Sequence, residues 1–275
     1  MIERQGAIYD IMFFFLISGG LLLLFVAMRK LGMVHSNWMH RRRPERAVVE
    51  SEGTGYLVSS ALALLGLLIG FTFSMAVQRF DERRHGVVQE ANAISTVYGR
   101  AGLFDEPIAS ELQRAIARYA KDRRDFVAAG EDTSALAQVA ADLAIAQDAI
   151  WIIMKRALQE DDTGMYTTAT LTSMNEMFDI AATRQALIEA HIPNMVMMVL
   201  VGFAAATAYL LGYGAGHEQL GHGAATTIVF ALVSIAIALI VDLDRPRLGF
   251  IKIDQAPMER IIVMINPPQK TQAAP

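Results

Sequence analysis

Four long runs of mostly apolar sequence decide what this chain can become. They are Ile11–Met28, Tyr56–Val77, Met195–Tyr213 and Ala224–Val241, and none contains Asp, Glu, Lys, Arg or His. The hydrocarbon of a bilayer is about 30 Å thick and a helix rises roughly 1.5 Å per residue, so about 20 apolar residues cross it. No water reaches the backbone there, so each run must be helical. The expected fold is all-α: an integral membrane protein with four transmembrane helices (about 11–28, 56–77, 195–213 and 224–241) and a helical, water-facing domain between the second and third.

Composition agrees. The chain is 53% hydrophobic and only 19% charged, and its charges cluster between the apolar runs. A bilayer imposes that clustering, because a charge in hydrocarbon costs several kcal/mol. The absence of cysteine excludes disulfides, thiolate catalysis and thiolate metal sites. A net charge of −4 argues against a general nucleic-acid binder. Glu3 and Asp10, rather than a basic run, precede the first apolar block, and Arg29 and Lys30 close it, so it reads as a retained helix and not a cleaved leader.

The linkers divide the chain into 1–77, the first two membrane helices with a basic loop; 78–192, the helical domain; 193–241, a membrane hairpin; and 242–275, a polar tail. The loop at 29–55 carries Arg29, Lys30, Arg41, Arg42, Arg43 and Arg46, with Trp38 suited to the headgroup layer. In the domain, Ala, Leu, Glu, Gln and Arg dominate and no period-two pattern occurs. The second membrane helix is expected to continue past Arg79 to about Arg100, with only Gly86 as a weak breaker. Pro107 opens the next helix. Thr133 or Ser134 caps another, from Ala135 to about Leu158, and a last one runs to His191. Their stripes (Leu112, Ile116, Tyr119; Leu143, Ile150, Ile153; Met174, Phe178) read as core. The empty turn at 214–223 and the basic tail favour both termini and the domain on the cytoplasmic side, while Arg41-Arg42-Arg43 pulls the other way.

The segment from Leu68 to Phe80 (LIGFTFSMAVQRF) resembles the pore-lining second helix of bestrophins, where a Gly-Phe pair is followed by Val-x-Arg-aromatic; here Gly70-Phe71 and Val77, Arg79, Phe80 supply those pieces. The chain as a whole, over roughly 56–262, resembles the bestrophin-like domain family of bacterial membrane proteins, through Arg79–Ile94, Ile192-Pro193 and Asp242–Gly249. The resemblance implies a homo-oligomeric ion channel of a bacterial inner membrane, a pentamer, passing small inorganic ions, anions among them. It implies a hydrophobic neck at Phe71, Leu67 and Ala63, where Ala63 is smaller than the bulky residue expected. Such a ring of apolar side chains can gate by dewetting. Arg79, Arg83 and Arg84 could draw anions to the pore mouth. Bestrophins often bind calcium through an acidic run after the fourth helix. Only Asp242 and Asp244 remain here, too few oxygens for the six to eight calcium takes, so no calcium gate and no cofactor are expected.

The same helix has a plainer reading. Ser59, Ala63, Gly66, Gly70 and Ser74 form a small-residue stripe, with Gly66 and Gly70 as a G-x-x-x-G pair, and such stripes serve helix packing in lipid without any pore. His217 and His222 are five apart with Glu218 between them, the wrong spacing for H-E-x-x-H, and read as a polar turn. No nucleotide loop and no nucleophile elbow occurs, so an enzyme is not expected. No ionisable residue lies inside a spanning run, which argues against a proton-coupled transporter. Two functions stay open: an ion channel, or a non-conducting membrane scaffold whose helical domain docks a partner protein.

Overall fold

The computed structural model describes residues 2–42, 47–128, 133–160, 164–215, 223–245 and 250–266. Arg43, Arg46, the His217–His222 turn, Pro246, Arg247 and Gly249 lie outside the described residues. Among the described residues eight helices follow in order: α1 (Ile2–Arg42), α2 (Ala47–Ala101), α3 (Ile108–Ala128), α4 (Thr133–Glu160), α5 (Met165–Glu189), α6 (Asn194–Ala215), α7 (Gly223–Asp244) and α8 (Ala256–Ile265). Among the described residues there is no strand. The chain divides into two compact units, 1–79 with 191–251 and 80–190 with 252–275, and the division falls inside α2.

Five helical segments, among the described residues, are long and apolar enough to cross a membrane, not four. The addition is Thr133–Glu160, which is α4. It qualifies because Ala, Leu and Ile fill it, although Asp142 and Asp148 interrupt the run.

In the first unit α1 packs on α6 and α7. Phe25 and Phe230 are fully buried against each other, with ring centroids 5.8 Å apart. The α1–α6 crossing is closed by two glycines, one from each helix. A Cβ on Gly32 would strike the Tyr209 carbonyl oxygen and lie 2.8 Å from the Tyr213 nitrogen. A Cβ on Gly212 would strike the Arg29 carbonyl oxygen. Beside the crossing, the His35 ring shares a hydrogen bond with the Tyr209 hydroxyl.

The second unit holds its own core. Ile94, Leu112, Ile116, Tyr119, Ile150, Met154 and Met174 are dry, and burial pushes the Tyr119 phenol up to about 12. The stripes expected from spacing are these faces. Gly86 does not break α2; its open side faces the stem of Arg184, whose Cγ lies 3.5 Å from where a Cβ would stand. The segment read as a polar tail contributes α8, whose Met258 and Ile265 are buried in this same core. The charges scattered through residues 242–255 hid it, and a helix of ten residues is too short for a strong periodic signal.

Candidate functional site

The part of α2 in the first unit has two faces. Ala61, Leu65, Thr72 and Ala76 turn inward and are buried. Ala63, Gly66, Leu67, Gly70, Phe71 and Ser74 are exposed. Steps of three and four place residues on one side of a helix, so the two sets are opposite sides by construction. Leu67 is 53% exposed and Phe71 66%, large values for side chains of this size. A Cβ at Gly66 or Gly70 would meet nothing within 4 Å. Among the described residues, the small-residue stripe therefore packs against no other helix of its protomer. Thr72 closes its hydroxyl on the Leu68 carbonyl at 2.7 Å, so it adds no free polar group to the inward face.

The three arginines expected together at a pore mouth are placed differently. Arg84 is exposed. Arg79 is half-buried, and its Nε is enclosed without a hydrogen bond. Arg83 is buried. It donates from Nε to the Leu187 carbonyl at 2.9 Å and from Nη2 to the Ala190 carbonyl at 2.6 Å. These are carbonyls at the end of α5, which lack helical partners and attract a cation. Arg83 is thus a cap for α5 in this protomer.

One arrangement was not foreseen from the sequence. Glu90 is 0% exposed and bridges two buried arginines. Arg123 of α3 donates to its Oε1 and Arg184 of α5 to its Oε2. Arg123 also donates to the Ala181 carbonyl at 3.2 Å, and Arg184 to Gln255 Oε1 at 2.7 Å. Glu90 thereby ties α2, α3, α5 and the segment before α8 together. A buried glutamate on a charged helix gives no periodic sign of its partners; only Arg123 and Arg184, cations on otherwise apolar stripes, hint at it.

The two acids after the fourth apolar run are occupied within the protein. Asp242 accepts from the backbone N–H of Phe250 at 2.7 Å and of Ile251 at 3.0 Å. Asp244 accepts from the Ile192 N–H at 2.9 Å. They fix the chain as it leaves α7 and enters α6.

The family model of the bestrophin-like domain matches residues 31–258. The chain belongs to the bestrophin-like family. Solved structures agree on the fold. A bacterial bestrophin homologue from Klebsiella pneumoniae is similar at a TM-score of 0.61 and 14% identity, over 89% of this chain and 96% of that one. A single-residue variant of it gives 0.62 at 14% identity, over 91% and 99%. A second variant gives 0.60 at 15%, over 90% and 97%. At such identity the likeness speaks for the fold alone. No curated protein matches in sequence. With its apolar helices, this bestrophin-like chain is an integral membrane protein. In it the Gly70-Phe71 pair stands on the open side of α2, and the residues that follow, from Phe80, enter the second unit.

Proposed function

We propose that this bestrophin-like protein is an oligomeric ion channel, a pentamer, in which the second helices of the copies surround a central path for small inorganic ions. The observation that carries the reading is the bare, uncharged face of α2. Leu67 and Phe71, large and apolar, stand out from it beside Gly66 and Gly70, and no described residue of the protomer covers them. A ring of such faces makes a hydrophobic neck at Phe71, Leu67 and Ala63, narrow enough to gate by dewetting. Ala63 leaves that level of the neck wider. Glycines at 66 and 70 allow neighbouring helices to approach. Arg84, exposed beyond the neck, supplies positive potential near the mouth and favours anions there.

In this reading four helices cross the bilayer and α4 does not. Its Leu143, Ala146, Ile150 and Met154 side is spent in the dry core of the second unit, and its other sides carry Asp142, Asp148, Lys155 and Arg156. Both termini and the helical domain then lie in the cytoplasm.

The test is conduction. Purified protein reconstituted in planar bilayers is expected to carry current, and Phe71→Ala or Leu67→Ala to raise single-channel current severalfold by widening and wetting the neck. Particle images should show a ring. A dimer or monomer in mild detergent, silent under varied ions and voltages, would favour the scaffold instead.

A further inference from the structure

In the second unit α2 keeps one side bare. Arg83, Val87, Glu90, Ile94 and Val97 are buried, whereas Asp81, His85, Gln89, Asn92 and Thr96 are exposed. Steps of four, four, three and four hold the exposed five on one side of the helix. None of the five is a large apolar residue, in contrast to Leu67 and Phe71 earlier on the same helix. His85 follows Leu67 by eighteen residues, about five turns at 3.6 residues per turn, so the two project from the same side of α2. The side that is oily at Leu67 and Phe71 is wet from Asp81 onward.

Two of the five can carry charge. Asp81 and His85 stand one turn apart, and neither has a side-chain hydrogen bond or an ion pair among the described residues. Gln89 and Asn92 are neutral, and Thr96 turns its hydroxyl onto the Asn92 carbonyl at 2.9 Å. On α2 itself Glu82 and Arg84 flank the pair, both exposed. Arg84 lies about 100° round the helix from His85 and so stands beside the line, not on it. Arg83 and Glu90 are engaged inside the unit. The helix α5 packs beside this stretch at Gly86 and brings Arg184, which Glu90 holds, and Glu189, which accepts from the Gln185 amide at 3.1 Å.

We propose that Asp81 and His85 determine which ions the path accepts. This rests on the channel reading: with the second helices around an axis each residue becomes a ring, and rings of charged side chains select ions by sign. Imidazole is the side chain that ordinarily changes charge between about pH 5 and 8. While His85 is neutral, the Asp81 ring opposes the positive potential of Arg84 and admits cations. Once His85 is charged it offsets the Asp81 one turn away, and the balance moves toward anions.

Reversal potentials of the reconstituted full chain in a potassium chloride gradient test the proposal. From about pH 8 to about pH 5.5 the chloride-to-potassium permeability ratio should rise severalfold. Asp81→Asn should raise the ratio already at the higher pH. His85→Gln, an exposed change, should keep the current and lose the pH response. The chain has no cysteine, so His85→Cys gives a single thiol. A negatively charged methanethiosulfonate on that thiol should lower the ratio and a positively charged one raise it, which a purely structural role would not do. A short bis-maleimide should also join the His85→Cys copies to one another, with or without current. Silence of a protein that cross-links would sink the channel reading and this proposal with it. Current without cross-links, or a His85→Gln protein that keeps the parent's pH response, would overturn this proposal and leave the channel standing.

Discussion

Glu90→Leu is expected to cost the second unit about 3–5 kcal/mol, the range found when one partner of a buried ion pair is removed. The side chain of Glu90 is fully enclosed, and each of its oxygens serves one guanidinium. Leucine fills similar space but leaves Arg123 and Arg184 facing each other in a dry core. Neither can shed its charge, because an arginine is not deprotonated in a protein. Their remaining bonds, to the Ala181 carbonyl and Gln255, satisfy some donors and neutralise nothing. Glu90→Gln should fall between, since an amide keeps one acceptor and loses the charge. The triple change of Glu90→Leu, Arg123→Met and Arg184→Met should recover most of the loss, because replacing a whole buried ionic group with apolar residues is often neutral or stabilising. Fluorescence can read the unit by itself. The chain has two tryptophans; Trp151 packs near Phe178 in the second unit at 6.1 Å between ring centres, so a Trp38→Phe background isolates it. A Glu90→Leu protein that melts with the parent would show that the charges are solvated and the account of this core is wrong.

That hub marks where reading the sequence stopped. The apolar runs were plain because hydrocarbon admits only one kind of long uncharged segment. The continuation of α2 past Arg79 was plain because only isolated glycines, Gly86 and Gly99, interrupt it before Arg100, whereas its start at Ala47, inside the stretch read as a basic loop, was not. The second unit's faces followed from spacing, as Ile116, Ile150 and Met174 show. Polar partnership was not legible. Arg83 beside Arg84 looks like half of a surface pair, yet one step of about 100° along the helix turns it inward onto the α5 carbonyls and leaves Arg84 outside. The glycines illustrate the same limit. Gly66 and Gly70 have the recognised packing spacing and meet nothing in the protomer, while Gly32 and Gly212, far apart in sequence and in no motif, form the tight crossing. Periodicity reports which side of a helix is apolar or small. It does not report which helix comes to meet it.

Gly212→Ala is expected to be the most damaging single methyl group in the first unit. Its Cβ would lie 2.7 Å from the Arg29 carbonyl carbon and 2.9 Å from the Arg29 Cα, in addition to striking the oxygen. All three are backbone atoms of a helix, so no rotamer change relieves them, and α1 and α6 must separate. Forcing extra volume into a packed site costs typically about 1–3 kcal/mol and occasionally more, and in lipid the loss is felt directly because close packing is the main attraction between helices. Gly32→Ala should act alike, through the Tyr209 carbonyl and the Tyr213 nitrogen. The double change should cost less than the sum, because the first methyl already opens the crossing that the second would open. Trp38 reports it, lying 6.2 Å from the His35 ring that bonds to Tyr209. Gly66→Ala and Gly70→Ala make the contrast. With open space around them, they should leave the melting of this unit within about 0.5 kcal/mol of the parent, as surface changes do. If the open face of α2 meets another copy, they should instead shift the ring toward smaller species in mild detergent. Equal destabilisation by all four alanines in a dissociated protomer would refute both the tight crossing and the bare face.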